Sequence, residues 1–469
     1  MELFLASCLL LEVFGYASGA FSQCVGDASR KTYQDYIPLL ICVIMIKRIL
    51  GLESTEQRSQ QIPSRGFVFG MDSDGYFVIK HENKDGHIMV VGGVGTGKST
   101  CIVMPTLRAW KSRIFAIDIK GELSTYANKY RPRIKVFNPQ DKTAYGYNPY
   151  AFLRGSTNLT QEVRAIAQAV IPLPPEIKDP FWIESAQTLL TGAILHYYIL
   201  GCSFIETLRE VQQSGAKRLI ETVSNSPDDT ARLCMGGFVD MTEKTLSGIF
   251  AELSRCIISL ITDSDIVSAL SRDNTIEPVD LEYGYDIFLS IPEHLLRQWK
   301  NLLGLIVNQF LMFFERRNEG SNPPPILFLL DEFSRLGKIP FIMDGLATLR
   351  SKKVTICLIL QSLAQLDVIY GKDERRIISD TCAYKAILSA TDPDTQEYFS
   401  KLVGTYEKEK PTNTKALFNP LGNSRSVTTE DKPIIKPADF ATLQDVVLLH
   451  PFDKGVSRVD KVPYWVMDG

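Results

Sequence analysis

The chain has 469 residues, 45% of them hydrophobic and 22% charged, with a formal net charge of −3. That balance is ordinary for a globular protein and excludes a surface that grips nucleic acid by overall basicity, so any phosphate-backbone contact must be local. The length allows a large core, two folding units and an anchor. Nine dispersed Cys without a C-x-x-C pair suit a reducing compartment, and five isolated His leave no zinc-site pattern.

Residues 1–52 are read as membrane-anchor segments. The first apolar stretch, 1–21, is interrupted by Glu2 and Glu12 and has no basic flank, which makes it a poor secretory signal. The second, 36–46, is closed by Lys47-Arg48. Extended to Leu52, it approaches the ~20 residues that a spanning helix needs. If it spans, Lys47 and Arg48 favour a cytoplasmic body; the alternative is a helical hairpin packed on the globular part. Residues 53–65 are polar and Pro-bearing, a linker.

Gly92-Gly93-Val94-Gly95-Thr96-Gly97-Lys98-Ser99 fits G-x-x-x-x-G-K-[ST]. It follows the apolar run His87-Ile88-Met89-Val90-Val91 and precedes Thr100-Cys101-Ile102-Val103-Met104, the strand, loop and helix start that the motif requires. Successive N–H groups of such a loop, Thr100 included, face phosphate oxygens. Lys98 would reach the β- and γ-phosphates of ATP, and the Ser99 hydroxyl would sit on Mg²⁺.

Apolar runs recur at 87–92, 113–118, 134–137, 286–291, 326–330, 354–360 and 384–389. Their Ile/Val richness predicts an α/β fold with a mainly parallel sheet covered on both faces. Residues 66–155 form the first part of a nucleotide-binding domain and 284–469 the second. Between them, 156–283 change to helical spacing, as in Val163-Ile166-Ala167-Val170, and predict an inserted all-α domain. Within 156–273, nine Lys/Arg face fifteen Asp/Glu. Residues 404–433 read as a mobile loop, and 446–449 and 461–466 as closing strands.

The run 326–330 ends in Asp331-Glu332, 233 residues after Lys98. Asp331 can hold Mg²⁺ and Glu332 can act as general base toward the attacking water. The run 354–360 ends in Gln361, either an ordinary strand-ending amide or one that touches both water and γ-phosphate. Arg350, in Leu349-Arg350-Ser351-Lys352-Lys353, is either a solvated surface group or an arginine finger for a neighbouring subunit.

Together these pieces resemble the coupling proteins of conjugative type IV secretion systems over residues 66–465. Further shared motifs are Asp118-Ile119-Lys120-Gly121-Glu122, with Ile119 where the family has Pro, and Phe137-Asn138-Pro139. Asp179-Pro180-Phe181-Trp182, Glu243-Lys244-Thr245-Leu246-Ser247-Gly248-Ile249 and Leu336-Gly337-Lys338-Ile339-Pro340 also match. The resemblance implies a RecA-like P-loop ATPase with an inserted helical domain, an inner-membrane anchor and a homo-oligomeric, hexameric ring. Lys98, Glu332, Gln361 and Arg350 would then be catalytic, with Gln361 the γ-phosphate sensor and Arg350 a finger acting in trans. Implied partners are single-stranded DNA, its relaxase and the secretion-channel proteins, and the acidic insertion suits a protein or basic-relaxase contact. Arg375-Arg376 and Lys352-Lys353 are candidate DNA contacts. The alternatives to a DNA motor are an ATP-gated receptor or scaffold and a protein-secretion variant.

Overall fold

The computed structural model describes residues 58–59, 65–318, 320, 323–415, 423–450 and 455–468. The expected anchor segments and most of the expected linker lie outside these residues. Strands β1 (Arg58–Ser59), β2 (Gly66–Met71) and β3 (Phe77–His81) form an antiparallel sheet in the order β1-β3-β2. They are not among the strands that the sequence predicts. Lys80 of β3 is fully buried; its ammonium donates to Lys84 O at 2.6 Å and to Thr355 Oγ1 at 3.0 Å. Burial brings its pKa down to about 7.

The main sheet contains β4 (Ile88–Val91), β5 (Arg113–Asp118), β6 (Ile134–Phe137), β7 (Asp286–Ser290), β8 (Ile326–Leu330), β9 (Val354–Leu360) and β10 (Tyr384–Ile387). These seven strands run parallel in the order β10-β4-β9-β8-β5-β7-β6. Successive residues feed opposite cores, as a period of two requires. Ile114, Ala116, Leu327 and Leu329 pack with Leu107 and Trp110. Phe115, Ile117, Phe328 and Leu330 pack with the helix Leu296–Glu315, where the Phe115 and Phe310 ring centres are 4.7 Å apart. Strands buried on both faces cannot alternate polar and apolar residues, which explains the continuous apolar runs.

Between β6 and β7 the chain is helical, through Leu159–Val170, Phe181–Ile199, Phe204–Ser224, Asp229–Met235, Glu243–Thr262, Ser264–Leu270 and Val279–Glu282. The starts are written in the sequence. Ser203 and Glu206 form a reciprocal capping box, and Thr242 accepts the Thr245 N–H. Among the described residues, Glu243–Thr262 is the helix long and apolar enough to cross a membrane, but its Ile249, Leu253, Cys256, Ile257 and Leu260 are buried in the protein core.

Two expectations near the C-terminus are corrected. Residues 404–433 are not simply a loop: β11 (Thr405–Lys415) and β12 (Asn423–Pro433) pair antiparallel as a two-stranded ribbon. Their polar composition conceals them because they belong to neither apolar sheet. The expected strand at 461–466 is instead a turn leading into the helix Tyr464–Asp468. The strand lies earlier, at β14 (Val456–Val459), hairpinned to β13 (Val446–Leu449), which pairs antiparallel with β10. Pro463 lacks the N–H that a continuing ladder needs, and it suits the entry to a helix.

Candidate nucleotide site

The C-terminal tips of β4, β9, β8 and β5 are neighbours, and each delivers one part of a cleft of about 440 Å³. After β4 the chain turns through Gly92–Ser99. Gly97 has φ 98°, a left-handed conformation that L side chains rarely adopt. A Cβ on Gly92 would lie 2.7 Å from Thr96 Oγ1, so the loop closes on itself there. Gly92 N–H donates to Leu360 O at 3.0 Å, and Gly93 N–H to Ser389 Oγ at 3.0 Å. These contacts anchor the loop to β9 and to the tip of β10. Thr96 Oγ1 donates to Gly93 O at 2.9 Å. Gly93, Val94, Gly95, Gly97, Lys98, Ser99 and Thr100 line the cleft, whereas Gly92 and Thr96 brace the loop from behind.

The helix starts with a wide turn at Lys98–Val103, where Cys101 N–H donates to Gly97 O at 2.7 Å. N–H groups at the opening of a helix have no intrahelical acceptor, so those of this first turn are suited to an anion. Lys98 Nζ donates to Gly92 O at 2.6 Å and Gly93 O at 3.0 Å. Burial lowers its pKa, and the charges of Glu332 and Asp331 oppose that shift.

Asp331 and Glu332 follow β8. Glu332 has φ 49°, a left-handed conformation that costs a non-glycine residue energy and is found at sites where surrounding structure enforces it. Asp331 accepts the Glu332 N–H at 3.0 Å. Gln361, at the tip of β9 between β4 and β8, donates through Nε2 to both Glu332 oxygens, at 3.1 and 3.0 Å. Gln361 Oε1 accepts from Gln365 Nε2 at 3.4 Å, and Gln365 Oε1 accepts the Ser334 hydroxyl at 2.9 Å.

Lys98, Ser99, Asp331, Glu332 and Gln361 therefore meet in one cleft. Arg350 does not join them. It is exposed in the turn before β9, while Gln361 follows that strand's last residue. Seven extended residues separate the two by roughly 20 Å, so Arg350 lies at the opposite edge of the sheet. Of the basic residues considered for DNA, Arg375 Nε is 2.9 Å from Asp367 and Lys353 Nζ is 3.6 Å from Asp85.

Several lining or bracing groups escape the sequence reading. Arg335 pairs with Glu293 at 2.8 Å beside the cleft, and that guanidinium holds the Glu293 carboxyl below its usual range. Ser389 also follows a buried apolar strand, the same signal that singles out Gln361. Asp118, which the sequence offers only as part of a shared motif, is buried and caps the helix Glu122–Ala127, accepting Ser124 N–H at 2.8 Å and Ser124 Oγ at 2.7 Å. It shapes the cleft wall.

A family model described as type IV secretory system conjugative DNA transfer matches residues 48–449. The chain belongs to this family. It is 26% identical to the conjugal transfer protein TraG of Rhizobium radiobacter over 378 residues, covering 76% of this chain and 58% of that protein. It is 25% identical to VirD4 of Agrobacterium fabrum over 384 residues, covering 78% of this chain and 57% of VirD4. The chain thus spans less than two thirds of these relatives. The plasmid coupling protein TrwB, solved with the ATP analogue ADPNP, superposes with a TM-score of 0.69 at 17% identity, covering 85% of this chain and 90% of TrwB. A TrwB structure with ADP and Mg²⁺ gives 0.68 at 18%, covering 85% and 90%. The fold of this conjugative-transfer chain is therefore the RecA-like P-loop fold.

Its donor set suits a nucleoside triphosphate with a divalent cation: a glycine cradle, an ammonium, a hydroxyl at Ser99 and a carboxylate at Asp331. Burial, with the neighbouring Glu332 charge, raises the Asp331 pKa from 3.8 to about 6. Because the folded-state pKa is raised, ionised Asp331 costs stability: the neutral form's stability is complete below about pH 4 and is lost as pH rises through about 6. Asp331→Asn should therefore be more stable than the wild type without nucleotide at pH 8, by about 1–3 kcal/mol. Denaturant unfolding should show this advantage shrinking between pH 6 and pH 4. An Asn variant no more stable than wild type at pH 8 would mean that the carboxylate is not charged at a cost.

Proposed function

We propose that this chain is a Mg-dependent ATPase that works as a hexameric ring and moves single-stranded DNA with its attached relaxase into a type IV secretion channel. The convergence of Lys98, Asp331, Glu332 and Gln361 on one cleft carries this reading. Family membership and the nucleotide complexes of TrwB support it. In this reading residues 1–52 anchor the chain in the bacterial inner membrane, with the ATPase body in the cytoplasm.

Lys98, Ser99 and the N–H groups of the loop bind and orient the phosphates. Ser99 and Asp331 would hold Mg²⁺, which would supply charge neutralisation on the phosphate oxygens. Glu332 accepts a proton from the attacking water, and Gln361 positions that water against the γ-phosphate. Arg350 serves the cleft of a neighbouring subunit, since its place at the far edge of the sheet keeps it from its own.

The deciding experiment is ATP turnover by the full chain with and without single-stranded DNA, with Lys98→Ala alongside. A motor should hydrolyse ATP faster when DNA is added, and the Lys98→Ala variant should stay folded yet lose nucleotide binding. Tight ATP binding with no turnover under either condition would favour the ATP-gated scaffold instead. Turnover indifferent to DNA would favour a protein cargo. Wild-type nucleotide affinity in Lys98→Ala would sink the phosphate-loop assignment.

A further inference from the structure

The groups behind Gln361 form a hydrogen-bond chain with a fixed direction. The Glu332 carboxylate offers only acceptors, so the Gln361 amide must present its N–H side to it. The Gln361 carbonyl then faces away and takes an N–H from Gln365. The Gln365 carbonyl in turn accepts the Ser334 hydroxyl. Each amide has one donor end and one acceptor end, so turning either one leaves like ends facing each other. Gln365 stands in the first turn of the helix Ala364–Thr381, and Ser334 in the short turn Phe333–Leu336 directly after Glu332. Neither lines the cleft.

We propose that Gln365 is a positioning residue for ATP hydrolysis. It holds the Gln361 amide with its N–H side on Glu332, and so fixes the two groups that face the attacking water. This rests on reading the cleft as an ATPase site.

Gln365→Glu is the informative variant, because Glu matches Gln in shape and the position is only partly buried. Its carboxylate still accepts the Ser334 hydroxyl but has no N–H for Gln361. Gln361 then stands between two carboxylates that compete for its N–H groups, so its N–H side is no longer held on Glu332 alone. Gln365→Met fills similar space and competes for neither end, leaving Glu332 to orient Gln361 alone.

Gln365→Glu should lower kcat by about tenfold or more, with KM for ATP changed less than about twofold. Gln365→Met should lower kcat by about two- to fivefold, because the Gln361 carbonyl loses its donor while Glu332 still holds the N–H side. The deficit of Gln365→Glu should shrink as pH falls toward the carboxyl range, where a protonated Glu regains a donor. In a Gln361→Met background, Gln365→Glu should add nothing, because its effect passes through Gln361.

Equal losses in the Glu and Met variants, or additive losses in the double variant, would overturn the proposal in favour of packing. So would wild-type kcat in Gln365→Glu. Binding of a fluorescent ATP analogue and the thermal midpoint report that each variant is folded. Glu332→Gln and Gln361→Met, run in parallel, read the ATPase site itself. If both keep wild-type kcat, the site reading has failed; if they lose activity while Gln365→Glu does not, only the positioning role has failed.

Discussion

Glu332→Gln is expected to bind Mg-ATP and to hydrolyse it about 10²–10⁴-fold more slowly. An amide cannot accept the proton of the attacking water, whereas the change leaves the phosphate loop and Asp331 in place. The substitution is nearly isosteric, so the left-handed backbone at this position has no new side-chain bulk to accommodate. Single-turnover kinetics with bound ATP separates the chemical step from binding. Near-normal turnover would move the general base to another residue.

The second large effect concerns Arg350. If it serves a neighbour's cleft, Arg350→Ala should bind ATP normally and lose about 10³-fold or more in rate. Lys98→Ala protomers should be inactive for the opposite reason, having an intact Arg350 but no competent pocket. Mixing the two under conditions where subunits exchange should restore activity, because an intact Lys98 pocket can then face an intact Arg350. Neither variant alone can build that pairing. Full activity of Arg350→Ala by itself would make Arg350 a solvated surface residue.

The parallel sheet was readable because its strands are buried on both faces and their apolar runs have no polar interruptions. Ile326–Leu330 and Val354–Leu360 appear in the structure with the bounds that their composition suggests. The same rule hides β11 and β12, whose ribbon has polar sequence, and displaces β14 from its expected place. At the candidate site, residues ending an apolar run stand out: Asp331, Glu332 and Gln361. Groups that reach it from elsewhere do not. Arg335 pairs with Glu293 and Ser334 with Gln365 only because the segments after β8, β9 and β7 meet at one end of the sheet, and no local pattern records that meeting. Arg350 is legible as a residue type, but its distance from the cleft follows from the direction of β9 alone.

The strand order also bears on how the chain is made. β4 leads into the phosphate loop, yet its two sheet neighbours are β9 and β10, which begin at Val354 and Tyr384. On a ribosome, β4 emerges with neither edge paired and must wait for most of the polypeptide to be synthesised. Contacts this distant in sequence form slowly, and an unpaired apolar strand invites association with other chains in the meantime. Ser389, which steadies the loop through Gly93, arrives later still. Nucleotide can thus cradle in its finished loop only near the end of translation, and a chain released before Tyr384 would leave the β10 side of its most critical strand unpaired.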